Sequence, residues 1–259
     1  MKKGILILAL AFIMTSFAAC ADSADSDEKV EVTTRSASVN LNSDRQTAEN
    51  DDGTQQNTQA DNADYFALAQ SCRMTAYCEA YKSGDYSSLT ENERFVLDEA
   101  SKVIDEYITA DMQDFEKVHA IHDYMILNCT YDLDELDERK GADAYSFCPE
   151  GFFKNGKAVC SGYSSTFQLF MDLLDIPCIT VENAYANEPG NDHAWNVVFV
   201  RGKWYYVDIT WDDPVPDMNW KYHSFLLVNT NEMKSTGHIW DEDKYPYVEN
   251  CFVRDWNCN

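Results

Sequence analysis

The sequence has few basic side chains. Of its 259 residues, 20 are Lys or Arg and 45 are Asp or Glu, which gives a formal net charge of −25 at pH 7. A chain with this balance repels nucleic acid and anionic lipid headgroups, and we therefore exclude nucleic-acid binding. The sequence also lacks the motifs of nucleotide, haem and flavin sites, so we expect no cofactor.

The apolar run at the start of the chain, from Ile5 to Phe17, is too short for a comfortable membrane span. Two lysines precede it and small residues follow it, which is typical of an export signal. Cys20, directly after two alanines, resembles a bacterial lipobox, in which the thiol carries a diacylglycerol. We predict a lipoprotein-type signal peptide over residues 1–20, lipidation of Cys20 and anchoring to the outer face of the bacterial cell membrane. The alternative is cleavage after Ala19 without lipid, and hence secretion.

Aromatic residues are missing from residues 21–64, which consist mainly of Asp, Ser, Thr, Asn and Gln. Such a segment cannot bury enough apolar surface to order itself, so we predict a disordered acidic and polar tether. Over the whole chain 45% of the residues are apolar and 13% aromatic, which predicts that the part after residue 64 folds.

Nine cysteines in an exported protein would ordinarily suggest disulfides. Setting aside Cys20 and Cys160 leaves an odd number, so at least one thiol has no partner within the chain. Cys72 and Cys78 point to different faces if their segment is helical. Cys251 with Cys258 is the better local candidate, and we expect several of the others to be buried thiols.

Helical patterns dominate residues 65–128. Thr90 and Glu93 form a capping box, and two apolar stripes follow at helical spacing. They are Leu97, Ala100, Ile104 and Ile108, and then Phe115, Val118, Ile121 or His122, and Met125.

In the second half of the chain the sequence pattern predicts one further helix and a sheet. The helix extends from about Cys160 to Leu174, with Tyr163, Phe167, Phe170 and Leu174 on its buried face. Residues 131–139 read as a loop, and we expect no regular element over Gly141–Gly151. Four strands are predicted over Ile179–Asn183, Ala194–Val200, Trp204–Thr210 and Ser224–Val228. Helices followed by an antiparallel sheet define an α+β fold.

Three short motifs carry the chemistry: Cys160 in Lys-Ala-Val-Cys-Ser-Gly, His193 in Asp-His-Ala-Trp-Asn, and Asp208 in Val-Asp-Ile-Thr-Trp. Cys160 lies at the first turn of the predicted helix, where unpaired backbone N–H groups and the helix dipole favour a thiolate. A thiol, an imidazole and a carboxylate are the components of a cysteine nucleophile with its base and the group that orients the base. This pattern predicts acyl transfer.

A geometric test links His193 to Asp208. If Arg201 and Gly202 form a two-residue turn, Val200 faces Lys203 across the hairpin. His193 and Asp208 are then diagonal neighbours on one face of the two strands. A three-residue loop would put them on opposite faces unless a bulge restored the register.

This order and spacing of residues resembles the transglutaminase-like superfamily of papain-like folds, in particular the transglutaminase-core domains of bacterial exported proteins. The resemblance includes Ile121-His-Asp-Tyr124, Thr130-Tyr-Asp132, the three motifs above, His238-Ile-Trp240 and Tyr245-Pro246. Its most specific part is Asp208-Ile-Thr-Trp-Asp-Asp-Pro214. It implies a transglutaminase-core fold over residues 65–259, in which N-terminal helices (65–128) pack on an antiparallel sheet, with a catalytic core at about 145–230 and an extension at 231–259.

The resemblance implies that Cys160 is the nucleophile, that His193 is the general base and then acid, and that Asp208 fixes the imidazole tautomer. The default oxyanion donor is the backbone N–H of Cys160. Papain-like enzymes place a Gln shortly before the nucleophile, where this chain has Asn155, which is either a substitute donor or a turn residue. Trp195 and Trp211 are candidates for the wall of the site, or for core and rim packing.

We consider two possible metal sites and predict neither. His119 and His122 could present two ligands from one helix, but we find no Cys or carboxylate at a recognisable metal spacing and expect a surface and a core-edge histidine. Asp212 and Asp213 raise the possibility of a calcium site, since animal relatives of the family use that ion, but Asp-Asp-Pro is an ordinary turn. We predict no metal.

Thiol-dependent acyl transfer on protein or peptide carboxamides is therefore the predicted function, with transglutamination, deamidation and peptide cleavage left open. The predicted partner is a surface protein or a peptidoglycan peptide, and the membrane is contacted through the lipid anchor alone. One alternative is a catalytically inactive binding or adhesion module that keeps the scaffold of an enzyme. A metal-dependent hydrolase built on His119 and His122 is a more distant alternative.

Overall fold

The computed structural model describes residues 59–136, 143–183, 192–213, 215 and 222–252. The predicted signal peptide with Cys20, most of the predicted tether, and Cys258 lie outside the described residues. Within the described part of the chain, no helix has the length and apolar character needed to cross a membrane.

The described chain begins with four consecutive helices: α1 (Gln59–Cys72), α2 (Thr75–Ser83), α3 (Glu91–Tyr107) and α4 (Asp114–Asn128). The predicted capping box at the start of α3 is confirmed, because the Thr90 side chain accepts from the Glu93 N–H and the Glu93 carboxylate accepts from the Thr90 N–H. Of the predicted apolar stripes, all members except Ile108, which follows the end of α3, are buried.

An antiparallel sheet follows, with strand order β3, β4, β5, β6. These strands are β3 (Cys178–Glu182), β4 (Ala194–Val200), β5 (Lys203–Val207) and β6 (Leu226–Val228). A separate parallel pair joins β1 (Thr130–Tyr131) to β2 (Lys157–Ala158). The remaining helices are α5 (Pro149–Asn155), α6 (Cys160–Leu173), α7 (Ile209–Asp212) and α8 (Thr230–Ser235).

Helix α6 forms the centre of the fold. Every residue from Gly162 to Leu173 is buried, which is the mark of a helix enclosed on all sides. Polar contacts fix it against the sheet: Asn196 on β4 donates to the Ser164 carbonyl at 3.2 Å, and Gln168 donates to the Cys178 carbonyl at 3.2 Å. The first residue of α6, Cys160, is thereby held at one end of the sheet.

Three sequence predictions about local structure are wrong. The stretch 131–139, read as a loop, contains a 3₁₀ helix over Leu133–Leu136. No regular element is expected over Gly141–Gly151, but a 3₁₀ helix covers Ala144–Phe147 and α5 begins at Pro149. Pro149 is the first residue of α5, a position at which its missing N–H is not needed. The predicted strand from Trp204 to Thr210 ends at Val207, because the Asp208 side chain accepts from the Trp211 N–H at 3.2 Å and caps α7.

The predicted absence of a Cys72–Cys78 disulfide agrees with the structure. Cys72 ends α1, Cys78 lies within α2, and both are free thiols. The suggested Cys251–Cys258 pair stays a prediction, because Cys258 is outside the described residues.

Gly162 is required for the close approach of α6 to the segment before α5. A Cβ atom at this position would lie 2.3 Å from the Ser146 carbonyl oxygen and 2.9 Å from the Ala158 Cβ.

We expect Gly162→Ala to lower the free energy of unfolding by about 1–3 kcal/mol, the usual cost of overpacking, as measured by urea denaturation. The neighbouring change Ser161→Ala is the control. The Ser161 hydroxyl is buried without a hydrogen-bond partner in the described structure, so its removal should cost little, and equal losses in the two variants would contradict the packing argument.

Candidate active site

The three residues singled out in the sequence come together at one end of the sheet. Cys160 begins α6, His193 directly precedes β4 and Asp208 directly follows β5. His193 Nε2 lies 2.6 Å from Asp208 Oδ2, and interaction with the Cys160 side chain contributes to the raised pKa of His193. Because Nε2 faces the carboxylate, Nδ1 is the ring nitrogen left for the thiol.

The β4–β5 hairpin has the predicted register. Arg201 and Gly202 both have positive φ, 50° and 79°, as a two-residue type I′ turn requires. Val200 pairs with Lys203 across this turn. His193 and Asp208 are therefore on the same face, as diagonal neighbours just beyond the paired residues. The predicted register is confirmed.

The start of α6 provides unpaired donors at Cys160. The residue before it, Val159, gives no side-chain cap, and the first N–H groups of a helix lack intrahelical acceptors. Negative charge at this position is stabilised by those N–H groups and by the helix dipole. The backbone N–H of Cys160 is one of these donors.

The acid and the base form a charged pair. Burial alone would raise the pKa of Asp208, but the charge of His193 and the hydrogen bonds from His193 and His238 lower it to about 2. Burial alone would lower the pKa of His193, but Asp208 and then Cys160 raise it to about 10. At neutral pH Asp208 is therefore a carboxylate and His193 an imidazolium.

This charged pair makes stability depend on pH in a defined way. Because the pKa of His193 is higher in the folded than in the unfolded protein, its protonation stabilises the fold. This stabilisation is fully present below pH 6.5, the pKa in the unfolded chain, and it is lost as the pH rises through about 10. We expect the difference in unfolding free energy between wild type and His193→Gln to be largest near pH 6 and to shrink steadily towards pH 10. Urea unfolding at a series of pH values measures this difference. A difference that stays constant over that range would contradict the raised pKa.

His238 is a second imidazole on Asp208 that the sequence interpretation missed. Its Nε2 lies 2.9 Å from Asp208 Oδ2, and since a carboxylate only accepts, His238 donates. Thr236 Oγ1, 3.0 Å from Nδ1, holds the other side of the ring. The available signal was the His238-Ile-Trp240 stretch, but no spacing argument connects residues 30 positions apart.

The two tryptophans beside His193 occupy different environments. The Trp195 ring is stacked 5.5 Å from the His193 ring and is only 1% exposed, so it backs the imidazole from within the core. Trp211, on α7, is 46% exposed, and its ring centroid lies 5.6 Å from His193 and 4.4 Å from His238. Trp211 thus offers an open aromatic surface next to the base.

Asn155 ends α5 and is exposed, directly before Gly156, whose φ of 60° terminates the helix. This is the position of a turn residue. Among the described contacts, none joins Asn155 to Cys160.

Asp212 and Asp213 are held by protein donors. The Asp212 carboxylate lies 3.0 Å from His122 Nε2 and accepts from the Phe225 N–H. Asp213 accepts a hydrogen bond from the Tyr163 hydroxyl. Both side chains therefore contribute to packing around α7.

Two groups of side chains in the described structure could hold a metal ion. One is His193, Asp208 and His238, and the other is His119, Asp123 and His223. The first belongs to the arrangement described above, and the second lies on α4 and the segment before β6.

Comparison with known proteins finds similarity to one family over part of the chain. Residues 101–209 match the model of the transglutaminase-like superfamily. Kyphoscoliosis peptidase from Mus musculus is 28% identical over 148 residues, and the same-named protein from Homo sapiens is 29% identical over 148 residues. Each match covers 53% of this chain and 22% of the relative, so the chain spans about a fifth of these relatives' length.

Among solved structures, a TGase is 21% identical, with a TM-score of 0.37, over 51% of this chain and 36% of that one. The residues matched by the family model include Cys160, His193 and Asp208. Over this stretch the chain is similar to the transglutaminase-like superfamily, and its helices and antiparallel sheet form an α+β fold.

Proposed function

We propose that this protein catalyses extracytoplasmic, thiol-dependent acyl transfer on protein or peptide carboxamides, with Cys160, His193 and Asp208 as its catalytic residues. The observation that carries the proposal is the position of His193, whose Nε2 lies 2.6 Å from the Asp208 carboxylate and whose pKa is also raised by interaction with the Cys160 side chain. This is the arrangement that a cysteine nucleophile and its base require.

In the first step the Cys160 sulfur attacks the carbonyl carbon of the carboxamide and forms a C–S bond. His193 holds the thiol proton and then delivers it to the nitrogen of the breaking C–N bond. An amine or ammonia leaves, and a thioester remains on Cys160. The Asp208 carboxylate stabilises the imidazolium throughout and keeps Nδ1 directed at the sulfur.

In the second step an amine or a water molecule attacks the thioester. His193 accepts a proton from the attacking group and returns it to the sulfur as the thioester breaks. An amine acceptor gives a cross-linked product, whereas water gives a deamidated or cleaved product. The same three residues serve all of these outcomes.

The surroundings of Cys160 fit the other requirements of this chemistry. The backbone N–H of Cys160 at the start of α6 is the proposed donor to the oxyanion. Trp211, with nearly half its surface open beside His193, is the proposed contact for the apolar part of the substrate. The matched relatives are named peptidases, which favours peptide carboxamides as substrates.

The proposed location is the outer face of the bacterial membrane, with Cys20 as the lipidated residue. An extracytoplasmic site suits a surface protein or a peptidoglycan peptide as substrate. Cys20→Ser should then move the full-length chain from the membrane fraction to the soluble fraction. Equal membrane retention of both proteins would overturn the anchor.

Mass spectrometry of peptide and cell-wall mixtures tests the reaction. After incubation with the wild-type protein, a gain of about 1 Da marks deamidation, a loss of about 17 Da marks cross-linking, and new termini mark cleavage, as the fates of one acyl-enzyme require. We expect one of these products with wild type and none with Cys160→Ala. Products that form equally with both proteins, or with neither, would point to the non-catalytic binding module.

A further inference from the structure

A cluster of imidazoles and one carboxylate lies on α4, apart from the proposed catalytic residues. His119 and Asp123 are four residues apart on α4 and therefore share one face of the helix. His223, from the segment before β6, lies against both of them. Its Nε2 is 2.7 Å from Asp123 Oδ1, and its ring is stacked 4.9 Å from the His119 ring.

The donor atoms of this cluster are close enough to share one ion. One donor atom from each of the three side chains lies within 4.8 Å of the other two. Ligands 2.0–2.2 Å from a tetrahedral zinc ion are roughly 3.5 Å apart. The widest pair thus has to close by at most roughly 1 Å to reach that spacing, and rotation of these partly exposed side chains can supply it.

A buried histidine behind the cluster is the second observation. His122 is 0% exposed, and its ring is stacked 5.4 Å from the His223 ring. Its Nε2 contacts Asp212, but its buried Nδ1 has no hydrogen-bond partner in the described structure and faces Asp123 Oδ1 at 3.6 Å. That distance is too long for a hydrogen bond.

An ion at the cluster would resolve this unpaired atom. A carboxylate that binds a metal is normally hydrogen-bonded by a residue behind it. His122 Nδ1 and His223 Nε2 both face Asp123 Oδ1. If Asp123 binds an ion in place of the hydrogen bond from His223, its carboxylate can turn to accept from His122. The direct hydrogen bond between His223 and Asp123 is then replaced by two metal bonds, and the proton on His223 Nε2 leaves to solvent.

We propose that His119, Asp123 and His223 bind a divalent transition-metal ion of the zinc type. Two imidazoles and one carboxylate are ligands that suit zinc, and they leave a further coordination position for water. The net charge of −25 also concentrates cations around the protein. The ion ties α4 to the segment before β6 and so stabilises the fold, with no part in the acyl-transfer steps.

Zinc binding to the full-length Cys160→Ala protein tests the site, since this background removes the active-site thiol as a competing ligand. We expect isothermal titration of the chelator-treated protein to show one zinc equivalent and a zinc-dependent rise in melting temperature. Asp123→Asn and His119→Gln should each weaken binding by at least the roughly 10–100-fold that loss of a supporting residue costs. Asp114→Asn, another aspartate on α4 and more than half exposed, should bind like the parent protein.

Cobalt substitution identifies the ligands, and circular dichroism confirms the fold of each variant. We expect cobalt absorption of a nitrogen- and oxygen-ligated ion that disappears in His119→Gln. A thiolate-to-cobalt charge-transfer band, unchanged binding in Asp123→Asn or His119→Gln, or no zinc binding by the parent protein would overturn the proposal. These readouts do not depend on enzymatic activity.

Discussion

Asp208→Asn is expected to reduce the acyl-transfer rate by about 10⁴-fold, the loss known for the equivalent change in other catalytic triads. The Asp208 carboxylate accepts from His193 and His238 through Oδ2 and from the Trp211 N–H through Oδ1. An amide has one acceptor oxygen and one NH2 group, so it would leave at least one of these donors facing another donor. His193 would then lose the charge that holds its pKa near 10 and would no longer present a fixed ring nitrogen to Cys160. Product formation in the mass-spectrometric assay measures the loss.

Asp208→Ala is expected to destabilise the fold as well. The Asp208 side chain has no exposed surface, and removing one member of a buried charged pair typically costs about 3–5 kcal/mol. Asp192→Asn is the matched control, because Asp192 is next to His193 in the chain but exposed. An Asp192 variant as impaired as Asp208→Asn would contradict a specific role for Asp208.

Cys160 is expected to react with iodoacetamide near neutral pH about 10²-fold faster than the buried cysteines, an effect at the lower end of what a positioned base contributes. Burial raises the pKa of Cys72, Cys78 and Cys178, and it raises that of Cys129 to about 12, so these thiols should label slowly. Cys160 instead begins a helix, and its side chain interacts with His193 strongly enough to raise the pKa of that imidazole. Peptide mapping of the alkylated protein gives the rate at each site.

His193→Ala should bring the labelling rate of Cys160 down to that of the other thiols. The matched control is Asp192→Ala, which changes the exposed residue next to His193 in the chain and should leave the rate unchanged. Comparable slow labelling of Cys160 in wild type and in His193→Ala would falsify the proposed activation and favour a binding module.

The placement of the base and the acid could be derived from the sequence, because it depends on local rules. Arg201 and Gly202 fix the turn, the turn fixes the pairing of Val200 with Lys203, and strand alternation then fixes the faces of His193 and Asp208. The start of α6 at Cys160 was also predictable, since a long apolar stripe begins there.

The partners that come from distant parts of the chain could not be derived in this way. His238 meets Asp208, and His223 meets Asp123, through the packing of segments that no spacing rule connects. The i, i+4 spacing of His119 and Asp123 was present in the sequence. Two candidate ligands alone do not indicate a metal site, and the third, His223, is 100 residues from Asp123 in the chain.

Some local structure was missed because competing signals had similar strength. Pro149 and Gly151 indicated a loop, yet Pro149 suits the first position of the short helix α5. Gly151 lies inside that helix, where a Cβ atom would be 2.3 Å from the Tyr145 carbonyl oxygen. Likewise, β-branched and aromatic residues after Val207 indicated a longer strand, whereas the capping preference of Asp208 ends it.

Helix α7 also restricts how this part of the chain can change in length. It consists of a single turn, with Asp208 at its start and Asp212 at its end. Asp208 orients the proposed base, while Asp212 anchors His122 and the Phe225 amide. Inserting or deleting one residue would rotate one carboxylate by about 100° relative to the other, so both contacts could not survive together. Insertions and deletions between these two aspartates should therefore be tolerated poorly. The number of residues from Asp208 to Asp212 is fixed by the two contacts that they make.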